Sequence, residues 1–235
     1  LNMTSHAEYP HEQLTSELFI MVQQGSATCV MDGATAELVK GAVLYLPEGT
    51  ARSLKAGPNG LSSLEIFSPV RADHLRKAGV DIGRDRYESF PDAGVTYTSL
   101  EPGKTYDLND VPRTAVGPPT SDPNKIATDQ VLAHARIMWG RHVMLSSVKM
   151  APHAEFPWHI HPEDQLMLTL DGEMIEEMAH AARNMRGDKQ HHILHPGGMA
   201  HTGKLSPQGA ENLDVFWPIR PDYMALHEQQ HGKAH

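Results

Sequence analysis

The chain has 235 residues, of which 40% are hydrophobic and 21% charged, and carries a net charge of −9 at pH 7. It has no Lys/Arg-rich block and no apolar run near 18–20 residues, which argues against a nucleic-acid partner, an anionic membrane surface and a bilayer span. Its length admits one large or two small domains, and 19 Gly with 17 Pro favour short strands and tight turns, so an all-β fold is expected.

In chain order, the sequence opens LNMTSH without an initiating Met, which points to a trimmed N-terminus; a cytoplasmic address is expected, with export left open. Gly25 and Gly33 punctuate SATCVMDG, Gly41 begins GAVLYLPEGTAR, and LSSLEIFSPVR closes the stretch at residues 61–71. Cys29, the single cysteine, excludes an internal disulfide and reads as a small buried apolar residue. Residues 72–80 read as a short helix ended by a glycine, and residues 91–125, with six prolines, as a long wrapped connection. Val143, Leu145 and Ser147 alternate with Met144 and Ser146, and Leu166, Leu168 and Leu170 alternate with Met167 and Thr169; each set predicts a strand with one buried face. Between Met174 and Met185 Ala and Glu dominate, and a strand pair with a distorted turn is expected there despite the helical propensity.

The second half repeats the first. Gly172 takes the part of Gly25, Gly187 that of Gly41, HPGGMAH matches LPEGTAR, and ENLDVFWPIR at residues 211–220 matches LSSLEIFSPVR. At the entry, Pro10, His11, Glu12 and Gln13 sit opposite Pro162, Glu163, Asp164 and Gln165. The predicted division is an N-terminal unit over 1–72, a helix and wrapped linker over 73–135, and a C-terminal unit over 136–235.

Chemistry concentrates in FPWHIHPEDQLMLTLDG, residues 156–172. Side chains two apart on a strand share a face, so His159 and His161 point into one cavity if residues 158–161 are extended. His201, after the PGG turn at 196–198, supplies a third imidazole from a neighbouring strand, and the Gln165 amide oxygen a fourth donor. Together they would close one side of a divalent ion and leave open positions for water or substrate. Against this stand surface histidines and a glutamine that bonds only the backbone. A carboxylate on an apolar strand is costly without a purpose, which singles out Asp214. Phe216 shares its parity, as a substrate platform or as a core aromatic. Arg220 follows Pro218 and could clamp a carboxylate with two hydrogen bonds, or pair with Asp222 or Glu228 on the surface. His180, His191, His192, His195, His227, His231 and His235 are expected on the surface or in the tail, and His153 is the one placed to reach the cavity rim.

These motifs resemble the two signatures of the cupin superfamily, and the repeat resembles a bicupin, two jelly-roll-like β-barrels in tandem with short helices. The resemblance covers most of residues 10–71 and 140–226 and implies His159, His161, Gln165 and His201 as metal ligands. Gln165 stands where the cupin pattern has Glu, and the second motif is three residues longer before Pro196. In the first copy it puts Ala7, Tyr9 and Arg52 at the histidine positions, implying a lost metal site. Without the glutamate's charge the ion keeps its full +2, which favours Lewis-acid over oxygen chemistry; Zn, Ni, Fe and Mn all suit the donors. Asp214, Phe216, Pro218 and Arg220 resemble the DxFxPxR signature of the small cupins of pectin and alginate degradation, which linearise 4,5-unsaturated monouronates; Glu65, Phe67 and Arg71 form a variant of it in the first copy. The HxHxxxQ pattern and FWPIR also resemble the bicupin isomerase of bacilysin biosynthesis. The expectation is a metal-dependent, non-redox enzyme isomerising, tautomerising or ring-opening a small anionic unsaturated or keto sugar acid. Asp214 would be its acid/base and Arg220 its carboxylate clamp. The alternatives are a dioxygenase with iron or copper and a non-catalytic small-molecule-binding bicupin. A homodimer is expected, since cupin sheets commonly pair across subunits.

Overall fold

The structure, a computed structural model, describes residues 1–77, 79, 95–116, 132–179 and 181–233. It divides into two compact units, one of residues 1–111 with 139–142, the other of residues 112–138 and 143–233. No helix among the described residues is long and apolar enough to cross a membrane.

The first unit is a seven-stranded sheet in the order β1 (Asn2–Met3), β6 (Ala51–Ser68), β3 (Glu17–Met31), β5 (Ala42–Leu46), β7 (Thr105–Asp107). β2 (Glu8–Gln13) also pairs with β6, and β4 (Ala34–Val39) with β3. The stretch anticipated as helix and connection thus supplies an edge strand, β7. It also holds α1 (Ala72–Lys77), after which Gly79 takes a left-handed φ of 72° and donates to Arg76, as the glycine stop predicts. Residues 78 and 80, the two ends of the predicted connection at 91–94 and 117–125, His180 and His235 lie outside the described residues. Leu18, Ile20, Leu38, Leu44, Leu46 and Leu54 pack the interior together with Cys29, whose thiol is fully buried and pushed up to about 11 by desolvation.

The second unit is an eight-stranded sheet in the order β13 (Ala181–Arg186), β12 (Asp164–Met178), β15 (His201–Trp217), β10 (Met144–Met150), β9 (Ala133–Trp139), β8 (Arg113–Val116). β11 (Glu155–His159) pairs with β15, and β14 (His192–His195) with β12. The Met174–Met185 region is the expected strand pair, β12 against β13, with Ala179 at φ 53° beside the turn. On β12 the buried face carries Gln165, Met167 and Thr169, while Leu166, Leu168 and Leu170 are half-buried. β10 is buried on both faces rather than one. The helix α2 (Pro221–His231) docks on β8: His227 Nδ1 lies 3.1 Å from Thr114 Oγ1, and the Gln230 amide bonds both the N–H and the C=O of Ala115.

Register makes the repeat a matter of geometry. β3 and β12 each slip register around one glycine, Gly25 (φ 75°) and Gly172 (φ 71°). A Cβ at either would run into a carbonyl oxygen, of Gly60 and Gly209 respectively, so the two strands bend at equivalent points. From there the pairs fall into step. Glu12 faces Arg52 as His159 faces His201, and Leu18 faces Phe67 as Gln165 faces Phe216. Tyr9 faces Leu54 as Phe156 faces Gly203. The tetrapeptide match at the entry is therefore out of register. Glu12, Leu14 and Leu18 stand at the His159, His161 and Gln165 positions; Ala7, Tyr9 and Gln13 do not, and Arg52 does hold the position equivalent to His201.

Candidate metal centre

β11 delivers His159 from its last residue, and the chain leaves the strand before His161, so both imidazoles turn toward the start of β15, where His201 is the first residue. The ring centroids of His159 and His201 are 4.1 Å apart and those of His161 and His201 5.1 Å. Their ligating nitrogens lie within 4.8 Å of one another, so the three histidines are brought together as the spacing requires. Gln165, inward on β12, places Oε1 3.1 Å from His161 Nε2.

Each ring has a fixed tautomer. Nδ1 of His159 donates to the Pro157 carbonyl, that of His161 to Glu163 and that of His201 to Met199, all at 2.9 Å. A carbonyl only accepts, so Nδ1 holds the proton and Nε2 presents a lone pair to the cavity, the arrangement metal-binding histidines use. Burial is the main cause that pushes all three below the ordinary histidine range, His201 to about 3, so the rings are neutral near pH 7. The Gln165 amide is turned with Oε1 toward His161, and its pull on Asp214 works against desolvation of that carboxyl. Two lone pairs thus face each other at 3.1 Å with no proton between them. A cation at that point resolves the conflict, and the donor set of three imidazoles and an amide oxygen fits a divalent metal ion.

Asp214 and Phe216, two residues apart on β15, line the same cavity as His159, Gln165 and His201. Asp214 is buried, its Oδ1 has no hydrogen-bond partner, and desolvation pushes its carboxyl up to about 7 against the opposing pull of the Gln165 bond. Phe216 is 1% exposed and meets the His161 ring edge-on, so it packs in the core and walls the site at once. Arg220, just past the cis Trp217–Pro218 bond, also lines the cavity. Its Nε and Nη2 bond Asp222 at 3.1 and 2.6 Å, and its guanidinium lies over the Tyr223 ring at 3.9 Å. The fork anticipated for a carboxylate ligand is thus turned toward Asp222. His153, exposed in the turn before β11, is not among the cavity-lining residues.

Sequence reasoning missed three residues. His195 is fully buried and not on the surface, because β14 pairs with β12 and places it beside Gln165; its ring stacks on His201 at 4.3 Å. His227 is likewise buried, on the side of α2 that meets β8. Glu176, 3% exposed, puts Oε1 3.0 Å from His195 Nε2, and burial raises its carboxyl against the opposing pull of His195. Its signal was parity: it lies two residues beyond the buried Met174 on β12.

No protein-family profile and no curated protein matches the sequence. Solved structures match the fold. AerE from Microcystis aeruginosa aligns at TM-score 0.60 with 9% identity over 92% of this chain and 84% of its own. A cupin 2 conserved barrel domain protein from Leptotrichia buccalis aligns at 0.57 with 11% identity, over 92% and 80%. A mutant of oxalate decarboxylase OxdC from Bacillus subtilis aligns at 0.62 with 14% identity, over 93% and 68%, and Mn(II) centres are described for that decarboxylase. The chain therefore has the cupin fold in its two-barrel form. At these identities the fold is what is shared.

Proposed function

We propose that the protein is a metal-dependent, non-redox enzyme that isomerises or ring-opens a small unsaturated or keto sugar acid at the second barrel. The observation that carries this reading is the buried Asp214 carboxyl, lifted to about 7, lining the same cavity as the neutral imidazoles of His159 and His201. A carboxyl poised there can both give and take a proton near neutral pH, which a tautomerisation or ring opening requires of one group. His159, His161, Gln165 and His201 would hold the ion, which when bound supplies Lewis-acid polarisation of a substrate oxygen. Desolvation leaves Asp214 divided between acid and carboxylate near pH 7, so it can give a proton to a substrate carbon or oxygen and take one back. Arg220 meets the substrate carboxylate with the guanidinium edge that Asp222 does not occupy, Tyr223 and Phe216 holding it in place by ring contacts. The first barrel has no metal role in this reading, and the active unit is a homodimer.

The resemblance of Asp214, Phe216 and Arg220 to the pectin-degradation signature supports 4,5-unsaturated uronates as substrates. The structural likeness to an oxalate decarboxylase with Mn(II) centres supports an acid substrate and adds weight to Mn among Zn, Ni, Fe and Mn. Incubation of metal-loaded protein with unsaturated uronates should remove the enol-ether absorbance, and Asp214→Asn should abolish the loss while metal stays bound. No turnover across uronates and arogenate-type acids would overturn the proposal. A second reading, an iron or copper dioxygenase, gains support from the Glu176 carboxylate beside His195 and His201; oxygen consumption by the iron-loaded protein would favour it.

A further inference from the structure

Behind the three-histidine set, Glu176, His195 and His201 bring their donor atoms within 4.8 Å of one another, and all three residues are buried. A buried imidazole ordinarily bonds through its ring nitrogens, yet Nδ1 of His195 has no partner and Nε2 has only the Glu176 carboxylate. Its nearest polar neighbour is Glu176 Oε1, 3.0 Å from Nε2.

Space has been left for this arrangement. A Cβ on Gly203 would stand 2.6 Å from Met174 Cε and 3.0 Å from Glu176 Oε2, although Gly203 has no left-handed backbone to explain a glycine there. The first barrel shows what the same positions hold when nothing polar is housed. Cys29 faces Leu54 as Glu176 faces Gly203, and Leu46 faces Leu18 as His195 faces Gln165. Cysteine and two leucines fill that interior, each 2% exposed or less. The second barrel has a carboxylate, an imidazole and a glycine instead. Burying those two polar groups costs free energy that apolar packing would avoid, unless a ligand repays it.

We infer that Glu176, His195 and His201 form a second seat for a divalent cation, deeper in the barrel than the first and exclusive of it because both need His201 Nε2. Two imidazoles and one carboxylate with open positions suit Mn(II) or Fe(II), whereas the outer set of imidazoles and an amide carries no charge. The inner seat would thus hold the same ion with one unit less net charge. This inference is independent of the proposed reaction and needs no substrate to test.

Calorimetric titration of Mn(II) into the metal-stripped full chain decides it, with near-UV circular dichroism to show that each variant is folded. Wild type and His161→Ala should each bind about one ion per chain, since the inner seat needs only its own three ligands. Adding Glu176→Gln to His161→Ala should eliminate binding, and His195→Leu, which restores the first barrel's residue, should do the same in that background. If His161→Ala does not fold, His159→Ala, at an exposed position, takes its place in the series. Loss of all binding in His161→Ala, or unchanged binding after Glu176→Gln is added, would overturn the inner seat and leave Glu176 and His195 as a buried acid–base pair.

Discussion

The two barrels share a bent-strand frame and fill it in opposite ways. In the second barrel the positions around the start of β15 carry His159, His161, Gln165 and His201, lone pairs in search of a cation. In the first the same positions carry Glu12, Leu14, Leu18 and Arg52, and the cation is built in. The Arg52 guanidinium is fully buried and bonds Glu12 through Nε at 2.9 Å and Glu65 through Nη1 at 2.8 Å; Arg71 reaches Glu12 at 2.7 Å. Glu65 and Arg71 stand where the second barrel has Asp214 and Arg220, so in the first barrel the acid is neutralised by an arginine and in the second it is left to hold a proton. One frame can serve as a closed ionic core or an open site, and which it becomes depends on a handful of inward positions.

The largest expected break of this comparison is Arg52→Ala. It strands Glu65, leaves Glu12 with Arg71 alone, and should cost about 3–5 kcal/mol in urea unfolding, with no effect on metal binding to the second barrel. Asp214→Asn tests the other side. The folded carboxyl titrates near 7 and the unfolded one near its ordinary value of about 3.9, so between those values only the folded state holds the proton and stability falls as pH rises. Metal-free Asp214→Asn should therefore be more stable than wild type by about 2–4 kcal/mol above pH 7, the gain vanishing below about pH 4. A pH-independent difference would sink that account. Gly25→Ala and Gly172→Ala should each cost about 2 kcal/mol or more by thermal unfolding, because both need a left-handed backbone and both meet a carbonyl. Unequal costs would show that the two bends are not equivalent. Smallest is Lys55→Ala, which removes an exposed cross-strand pair with Glu8 at 3.1 Å and should change stability by less than about 1 kcal/mol.

The all-β class, the repeat, the convergence of His159, His161, Gln165 and His201, and the shared cavity of Asp214 and Phe216 were legible because each rests on strand parity or on spacing between turns. The entry alignment failed because four matching letters weigh little against a bend fixed by Gly25 and Gly172, which only the sheet register reveals. His195 was misread because a histidine next to a PGG turn looks solvent-facing until β14 is seen to lie against β12. Arg220 left two readings open, and the side chain satisfies parts of both: it pairs with Asp222 and still borders the cavity.

One modest contact bears on how the protein behaves in a crowded solution. β8 ends its sheet, and an unpaired strand edge is a template on which a second chain can add. The Gln230 amide occupies both main-chain groups of Ala115 there, much as a neighbouring strand would. The last helix thus acts as a guard against edge-to-edge aggregation, and shortening the chain before Gln230 should lower its solubility before it lowers its melting temperature.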